Sequence, residues 1–326
     1  MTRLEIVGEH FALAQTFAIS RGSKTSADPI VVTLHRDGCV GRGEAVPYPR
    51  YNETVTGAIE TIEALRPQIE AGLSREALQD TMPPGAARNA LDCALWDLEA
   101  KLSGLPVYEL AGLAPPHPLA TAYTLSLDTP EAMGRSASQN AERPLLKIKL
   151  AGEGDLERIA AIRENAPDST LIVDANEGWS AEQLEPFSIA LARYGVALIE
   201  QPLPAGQDSI LSELEHPVPL CADESCHIAA DLGQLVKRYE CVNLKLDKSG
   251  GLSEALRLAA RARELGLDLM VGCMVATSLA MAPAVLLAPQ ARFVDLDGPL
   301  FLKQDREHGL RYDGSLLYPP NPRLWG

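Results

Sequence analysis

The stretch TLIVDAN, Thr170–Asn176, is an apolar run with β-branched residues that ends on a carboxylate. Continuous runs of this kind read as strands buried on both faces, as in parallel sheets. The pattern recurs in TAYTLSL (121–127), PLLKIKL (144–150), VALIEQP (196–202), VPLCADES (218–225), CVNLKLD (241–247), LDLMVGCM (267–274) and RFVDLDG (292–298). The ends of seven runs, marked at Lys149, Asp174, Glu200, Asp223, Lys245, Gly272 and Asp295, lie 25, 26, 23, 22, 27 and 23 residues apart. A strand, a loop and a helix take about that many residues. Eight such strands predict a parallel (β/α)8 barrel of the α/β class. An open doubly wound sheet competes, but no GxGxxG turn follows the first strand.

Outward from the repeat, the N-terminal part reads as α+β. LEIVGEHFAL and PIVVTLHRDGCVGRGEAV predict strands, with HRDG as a hairpin turn. NETVTGAIETIEALRPQIEAG predicts a helix capped by Asn52 and ended by Gly72, and GAARNALDCALWDLEAKLSG a helix ended by Gly104. The proline-rich APPHP, 114–118, marks the boundary before the repeat.

The chain has 326 residues, of which 46% are hydrophobic, enough for one large unit and a smaller one. A net charge of −15 and a pI near 4.9 disfavour nucleic acid and anionic membrane surfaces as partners. There is no long apolar span, and the charged start MTRLEIVGEH does not resemble a signal peptide, so a cytoplasmic protein is expected. Six cysteines without a CxxC pair fit reduced thiols. The histidines show no zinc spacing. Cys273 has no neighbouring histidine to activate it and reads as packing.

Chemistry concentrates at the strand ends, where barrels of this class carry their sites. Asp174, Glu200 and Asp223 end three successive strands. One such acid would read as a helix cap. Three converging oxygen donors without sulfur or imidazole predict a hard divalent site, one Mg2+ per subunit. Lys147 and Lys149 share a face of the preceding strand, and Lys245 ends the strand after the acids. A lysine acts as a base when its pKa is lowered, and Lys147 beside Lys149 is expected to do this. Solvated loop lysines are the ordinary alternative, but KIK within LLKIKL is hard to solvate.

The set VDANEGW, EQPLP, ADES and NLKLDKSGG, with the KIK pair, resembles the muconate-lactonizing subgroup of the enolase superfamily over nearly the whole chain. The resemblance implies an α+β capping domain (1–115), a modified (β/α)7β barrel (116–304) and a C-terminal segment (305–326) returning to the cap. It implies Asp174, Glu200 and Asp223 as Mg2+ ligands, Lys149 and Lys245 as acid/base residues, and Lys147 as their electrostatic partner. GEAVPYPRYNE resembles a loop over the barrel mouth.

The family's shared step is removal of a proton α to a carboxylate. Asp295 and Asp297, one residue apart on the eighth strand, resemble the motif by which dipeptide epimerases hold an α-ammonium. Both acids are expected to be ionised and to bind that group together. Arg21 and Lys24, in a loop over the site, are expected to meet an anionic side chain, and Cys273 and Met274 of GCMVATS to line the substrate site. The expected reaction is two-lysine epimerisation of L-Ala-L-Glu and L-Ala-D-Glu, as in murein peptide recycling. The rivals are an N-acylamino acid racemase, an o-succinylbenzoate synthase and a non-catalytic metal-binding barrel. The first two lack a free ammonium, and a scaffold has no use for flanking lysines. A dipeptide is the expected partner, and homo-oligomers stay open.

Overall fold

The computed structural model describes residues 1–326. Five strands open the chain: β1 (Arg3–Gly8), β2 (Phe11–Ile19), β3 (Gly22–Ala27), β4 (Ile30–Arg36) and β5 (Cys39–Ala45). β1, β4 and β5 form an antiparallel sheet, and β2 and β3 a separate hairpin. Asp37 (φ 51°) and Gly38 (φ 80°) make the tight turn between β4 and β5, as the sequence predicts. Four helices follow: α1 (Val55–Glu63), α2 (Arg66–Glu70), α3 (Arg75–Thr81) and α4 (Ala86–Ser103), then the short α5 (Val107–Leu110).

Three expectations change here. The single helix read up to Gly72 is two, α1 and α2, broken at Ala64 and Leu65 with Pro67 in the first turn of the second. Thr54, not Asn52, caps α1, its side chain accepting from Gly57 N, while Asn52 takes a left-handed conformation that ends the turn Pro49–Tyr51. Residues 16–27 are a β-hairpin with Arg21 in its turn rather than a loop.

α4 lies directly on β5. A Cβ at Gly41 or Gly43 would fall 2.4 Å from Ala94 O or 2.1 Å from Ala90 O. That close approach packs Leu91 and Leu98 with Ile30, Val32 and Leu34 in a core separate from the barrel's. Each fully buried leucine or isoleucine contributes about 1.5–3 kcal/mol.

After β6 (Leu119–Ala120) the eight predicted strands appear in order: β7 (Tyr123–Leu125), β8 (Leu145–Lys149), β9 (Thr170–Asp174), β10 (Val196–Glu200), β11 (Leu220–Ala222), β12 (Cys241–Leu244), β13 (Asp268–Val271) and β14 (Phe293–Val294). They form one parallel sheet in sequence order. Ala122 N donates to Val294 O (2.8 Å), joining its first and last strands.

The helices between them are α6 (Pro130–Gln139), α7 (Asp155–Asn165), α8 (Ala181–Arg193), α9 (Leu232–Leu235), α10 (Leu246–Ser249), α11 (Leu252–Glu264) and α12 (Ser278–Val285). The repeat is less regular than its spacing. Only a 3-10 turn, Ser209–Ser212, separates β10 from β11, in a segment carrying Pro202, Pro204, Pro217 and Pro219.

Alternation sorts the barrel strands. Ile172, Leu198, Cys221, Cys241, Met270 and Phe293 form an apolar layer inside the barrel. Two positions further along each of β9 to β12 come Asp174, Glu200, Asp223 and Asn243. In the tail, strands β15 (Tyr312–Asp313) and β16 (Leu316–Leu317) pair with each other, and β16 pairs in turn with β6. Arg42 Nη2 donates to Arg323 O and Leu324 O, and Trp325 Nε1 to Cys93 O, so the last residues lie on the N-terminal unit.

Candidate active site

The charged layer opens into a cavity of about 320 Å³ under the β2–β3 hairpin and the turn at Tyr48–Tyr51. Lys147, Lys149, Asp223, Lys245, Asp295 and Asp297 all line it, as do Arg21, Lys24, Cys273 and Met274. The sequence-predicted residues are thus brought together, with Asp174 and Glu200 buried against the lysines just below.

Buried charges must be paired. Lys147 Nζ lies 3.2 Å from Asp174 Oδ2, 2.7 Å from Glu200 Oε2 and 2.8 Å from Asp295 Oδ2. Lys149 Nζ donates to Asp174 Oδ2 (2.6 Å) and Lys245 Nζ to Asp223 Oδ2 (2.6 Å). Lys248 Nζ sits 2.6 Å from Asp223 Oδ1 and donates to the carbonyls of Asp223, Cys226 and Asn243.

Burial alone would lower Lys147, but Asp295, Glu200 and Asp174 together hold it well above the ordinary lysine value. The same contest, won by Asp223 and Glu200, raises Lys245. Burial raises Asp174 and Asp223, yet their lysine neighbours carry both below the carboxylate range. Glu200 is raised, by burial and then by Asp174. One expectation is revised: a base lysine is expected to have a lowered pKa, yet the acids beside Lys245 raise it, and Lys147, which shares Asp174 Oδ2 with Lys149, is also a clamp among three carboxylates.

No three acidic, thiol or imidazole side chains are grouped to hold an ion as they stand, because ammoniums lie among the acids. The donor chemistry nevertheless fits a hard cation. All three acids are buried, and Glu200 Oε2 and Asp223 Oδ1 lie outside hydrogen-bond geometry despite their close ammoniums. Asn243 Nδ2 fixes the other Glu200 oxygen at 2.7 Å.

Across the mouth, β14 ends at Val294, so Asp295 and Asp297 lie on the loop beyond the strand yet face one cavity. Asp295 is already paired with Lys147. Asp297 Oδ2 accepts from Thr124 N (2.6 Å) and has no cationic partner. Burial, then Asp295, push its carboxyl up to about 8. The sequence reading expects both acids to be ionised; for Asp297 the surroundings instead favour the protonated carboxyl near neutrality.

Arg21 and Lys24 also differ. Arg21 Nη1 donates to Asn176 O (2.7 Å) and Glu177 Oε2 (3.0 Å), and its Nη2 lies 2.7 Å from Glu224 Oε1. Arg50 clasps Glu177 with two hydrogen bonds of 2.7 and 2.6 Å. Glu177 thus ties the hairpin and the turn at Tyr51 to the barrel. Lys24 is half-buried on β3 and pairs with no carboxylate; burial pushes it down to about 8, with Lys149 and Lys245 adding to the effect. Cys273 is a resting thiol, raised well above its ordinary value by burial and by Asp295 and Asp297. The sequence reading names no role for Glu177, Glu224 or Lys248; the runs VDANEGW, ADES and LDKSGG that hold them were the available signal.

Two family models cover most of the chain: the mandelate racemase / muconate lactonizing enzyme N-terminal domain matches residues 1–112, and the enolase C-terminal domain-like model residues 132–320. An L-Ala-D/L-Glu epimerase of Escherichia coli (strain K12) is 48% identical, with 98% of this chain and 100% of the relative covered. An N-acetyl-D-glutamate racemase of a Pseudoalteromonas species is also 48% identical, over 91% of this chain and 95% of its own. An enolase family member from Agrobacterium tumefaciens with homology to dipeptide epimerases, crystallised with sodium and L-Ala-L-Glu, matches at a TM-score of 0.98 and 52% identity, both chains fully covered. A dipeptide epimerase from Enterococcus faecalis V583, complexed with Mg and L-Leu-L-Tyr, matches at 0.91 and 30%, over 97% of this chain and 96% of that one.

Proposed function

Since the chain belongs to the mandelate racemase / muconate lactonizing enzyme family of the enolase superfamily, we propose that it epimerises dipeptides, L-Ala-L-Glu and L-Ala-D-Glu above all. One observation carries this. Lys149 and Lys245 stand on either side of the acids of β9 to β11 and line one cavity that reaches Asp297.

In this reading Asp174, Glu200 and Asp223 hold Mg2+, which when bound stabilises negative charge developing on the substrate carboxylate. One lysine takes the α-proton of the second residue, and the other returns a proton to the opposite face, inverting the centre. Lys147 keeps Asp174, Glu200 and Asp295 in register. Asp297 receives the free α-ammonium and gives up its proton as that charge arrives. Lys24, rather than the engaged Arg21, meets the γ-carboxylate of glutamate. Cys273 and Met274 line the cavity between them. The latch at Glu177 closes the hairpin over the site and excludes water.

Residues 1–115 then serve as the cap, 116–304 as the barrel and 305–326 as the strap returning to the cap. Murein-derived peptides in the cytoplasm supply a matching substrate.

The second reading is an N-acylamino acid racemase, favoured by the N-acetyl-D-glutamate racemase relative. Proton NMR in D2O with Mg2+ separates the two. L-Ala-L-Glu should lose its glutamyl α-proton signal and yield L-Ala-D-Glu, while N-acetyl-L-glutamate exchanges more slowly. Preference for the acetylated compound moves the assignment to the racemase, and silence with both rejects either activity.

A further inference from the structure

Lys149 and Lys245, the two acid/base residues of the reading above, are held by different parts of the molecule. Lys149 ends β8, and its surroundings belong to the barrel. Leu150 N donates to Asp174 O (3.0 Å), and the Asp155 carboxylate accepts from Ala151 N and Gly152 N.

Lys245 instead begins the single turn α10. Its carbonyl accepts from Lys248 N and Ser249 N, both at 3.1 Å. Four residues are too few to stay helical on their own hydrogen bonds, so outside contacts must fix the turn.

Those contacts come from the N-terminal unit. Arg88 of α4 donates from Nη2 to Ser249 O (2.7 Å) and from Nε to Gly250 O (3.1 Å). Asp247 Oδ1 accepts from Val46 N (2.8 Å) and Asn89 Nδ2 (3.2 Å). Arg88, Asp247 and Ser249 are all buried. The fit leaves no slack. A Cβ at Gly250, where φ is 79°, would lie 2.4 Å from Arg88 Nε, and one at Gly251, where φ is 111°, 2.5 Å from Asp92 Oδ2.

We infer that Arg88, with Asp247 across the same seam, is a positioning residue for Lys245 and not for Lys149. The cap thus sets proton transfer on one face of the substrate while the barrel sets it on the other. The inference rests on the two-lysine reading and adds that the two faces can be uncoupled from the cap side.

The test follows α-proton exchange in D2O by NMR, with Mg2+, for L-Ala-L-Glu and L-Ala-D-Glu separately. Lys245→Ala and Lys149→Ala first identify the epimer that each lysine serves. Arg88→Gln and Asp247→Ala should then slow the Lys245 epimer by on the order of 10²-fold, the effect of roughly 1 Å of misplacement, and slow the other epimer far less. Arg88→Lys, which keeps a cation at the seam, should recover part of the loss. Thermal melts report folding, and Asp247→Ala carries the same comparison should Arg88→Gln not fold. Equal slowing of both epimers, slowing of the Lys149 epimer, or no slowing overturns the inference while leaving the two-lysine reading intact. If the lysine variants themselves affect both epimers alike, that reading fails and the inference falls with it.

Discussion

Asp297 is a carboxyl made protonated by its surroundings and made useful by its ligand. Burial and Asp295 push it up to about 8. Its folded pKa lies above its unfolded value of about 3.9, so between those values the native state keeps a proton that the unfolded chain loses, and stability falls as pH rises across that window. Asparagine has no proton to lose and can still accept from Thr124 N. Asp297→Asn should therefore melt no lower than the wild type at pH 8. It should lose roughly 10–150-fold in kcat/KM for L-Ala-L-Glu, the equivalent of one charge-assisted hydrogen bond of about 1.5–3 kcal/mol. An N-acetylated analogue should lose less, and equal losses would remove Asp297 from the ammonium site. Lys24 offers the complementary test. Its value is lowered to about 8, so its positive charge is present below that pH and lost above it. The kcat/KM for an acidic second residue, divided by that for alanine there, should fall as pH passes 8, and Lys24→Gln should flatten the ratio. A wild-type ratio that stays level to pH 9.5 would exclude Lys24 as the reader of the side chain.

Among the elements, those with strong periodicity or turn chemistry were legible and those defined by contacts were not. The eight barrel strands and α4 could be read because their apolar runs are long and their ends punctuated. Asp37–Gly38 could be read because only a left-handed turn suits that pair. The β2–β3 hairpin could not: TFAIS and GSKTSA carry little apolar signal, and the hairpin is held by Glu177, more than 150 residues away in sequence. Asn52 misled because two cap-competent residues, Asn52 and Thr54, stand two positions apart, and the preceding Pro49–Tyr51 turn claims the first. The acids and lysines of the site were visible from strand ends alone, but their partners were not; that Lys147 is shared by Asp174, Glu200 and Asp295 is a fact of barrel closure, which sets β14 beside β7 and so brings Asp295 to Lys147 of β8. The latch makes its own prediction. Asn176 and Glu177 hold consecutive positive φ angles of 46° and 66°, strain that the arginine contacts and the hydrogen bond from Ala205 N to Glu177 Oε1 (2.7 Å) sustain. Glu177→Gln should lower kcat/KM about 10-fold, one weakened charge-assisted pair, for free and acetylated substrates alike. It should also speed proteolysis within residues 20–24. Unchanged proteolysis together with unchanged kinetics would mean that the hairpin closes without the latch.

At the scale of the whole molecule, the barrel core carries four carboxylates, Asp174, Glu200, Asp223 and Asp295, interleaved with four ammoniums, Lys147, Lys149, Lys245 and Lys248, all buried. A balanced set of this kind folds without a further ion, because each charge has its counter-charge inside the protein. Chelation should therefore separate activity from folding. With EDTA the chain should stay folded, with a cooperative melt, while α-proton exchange of L-Ala-L-Glu stops. Added Mg2+ should restore exchange and raise the melting temperature only by the binding linkage, about 2.7 kcal/mol at 100 times Kd, which for a chain of this size is a rise of a few degrees. An acid cluster without lysines would behave oppositely, losing its tertiary structure as its charges came to face one another unpaired. The two measurements fail in different ways. Full exchange after exhaustive chelation would show that the acids bind no catalytic cation, whereas loss of the cooperative melt in EDTA would show that the lysines do not balance the site.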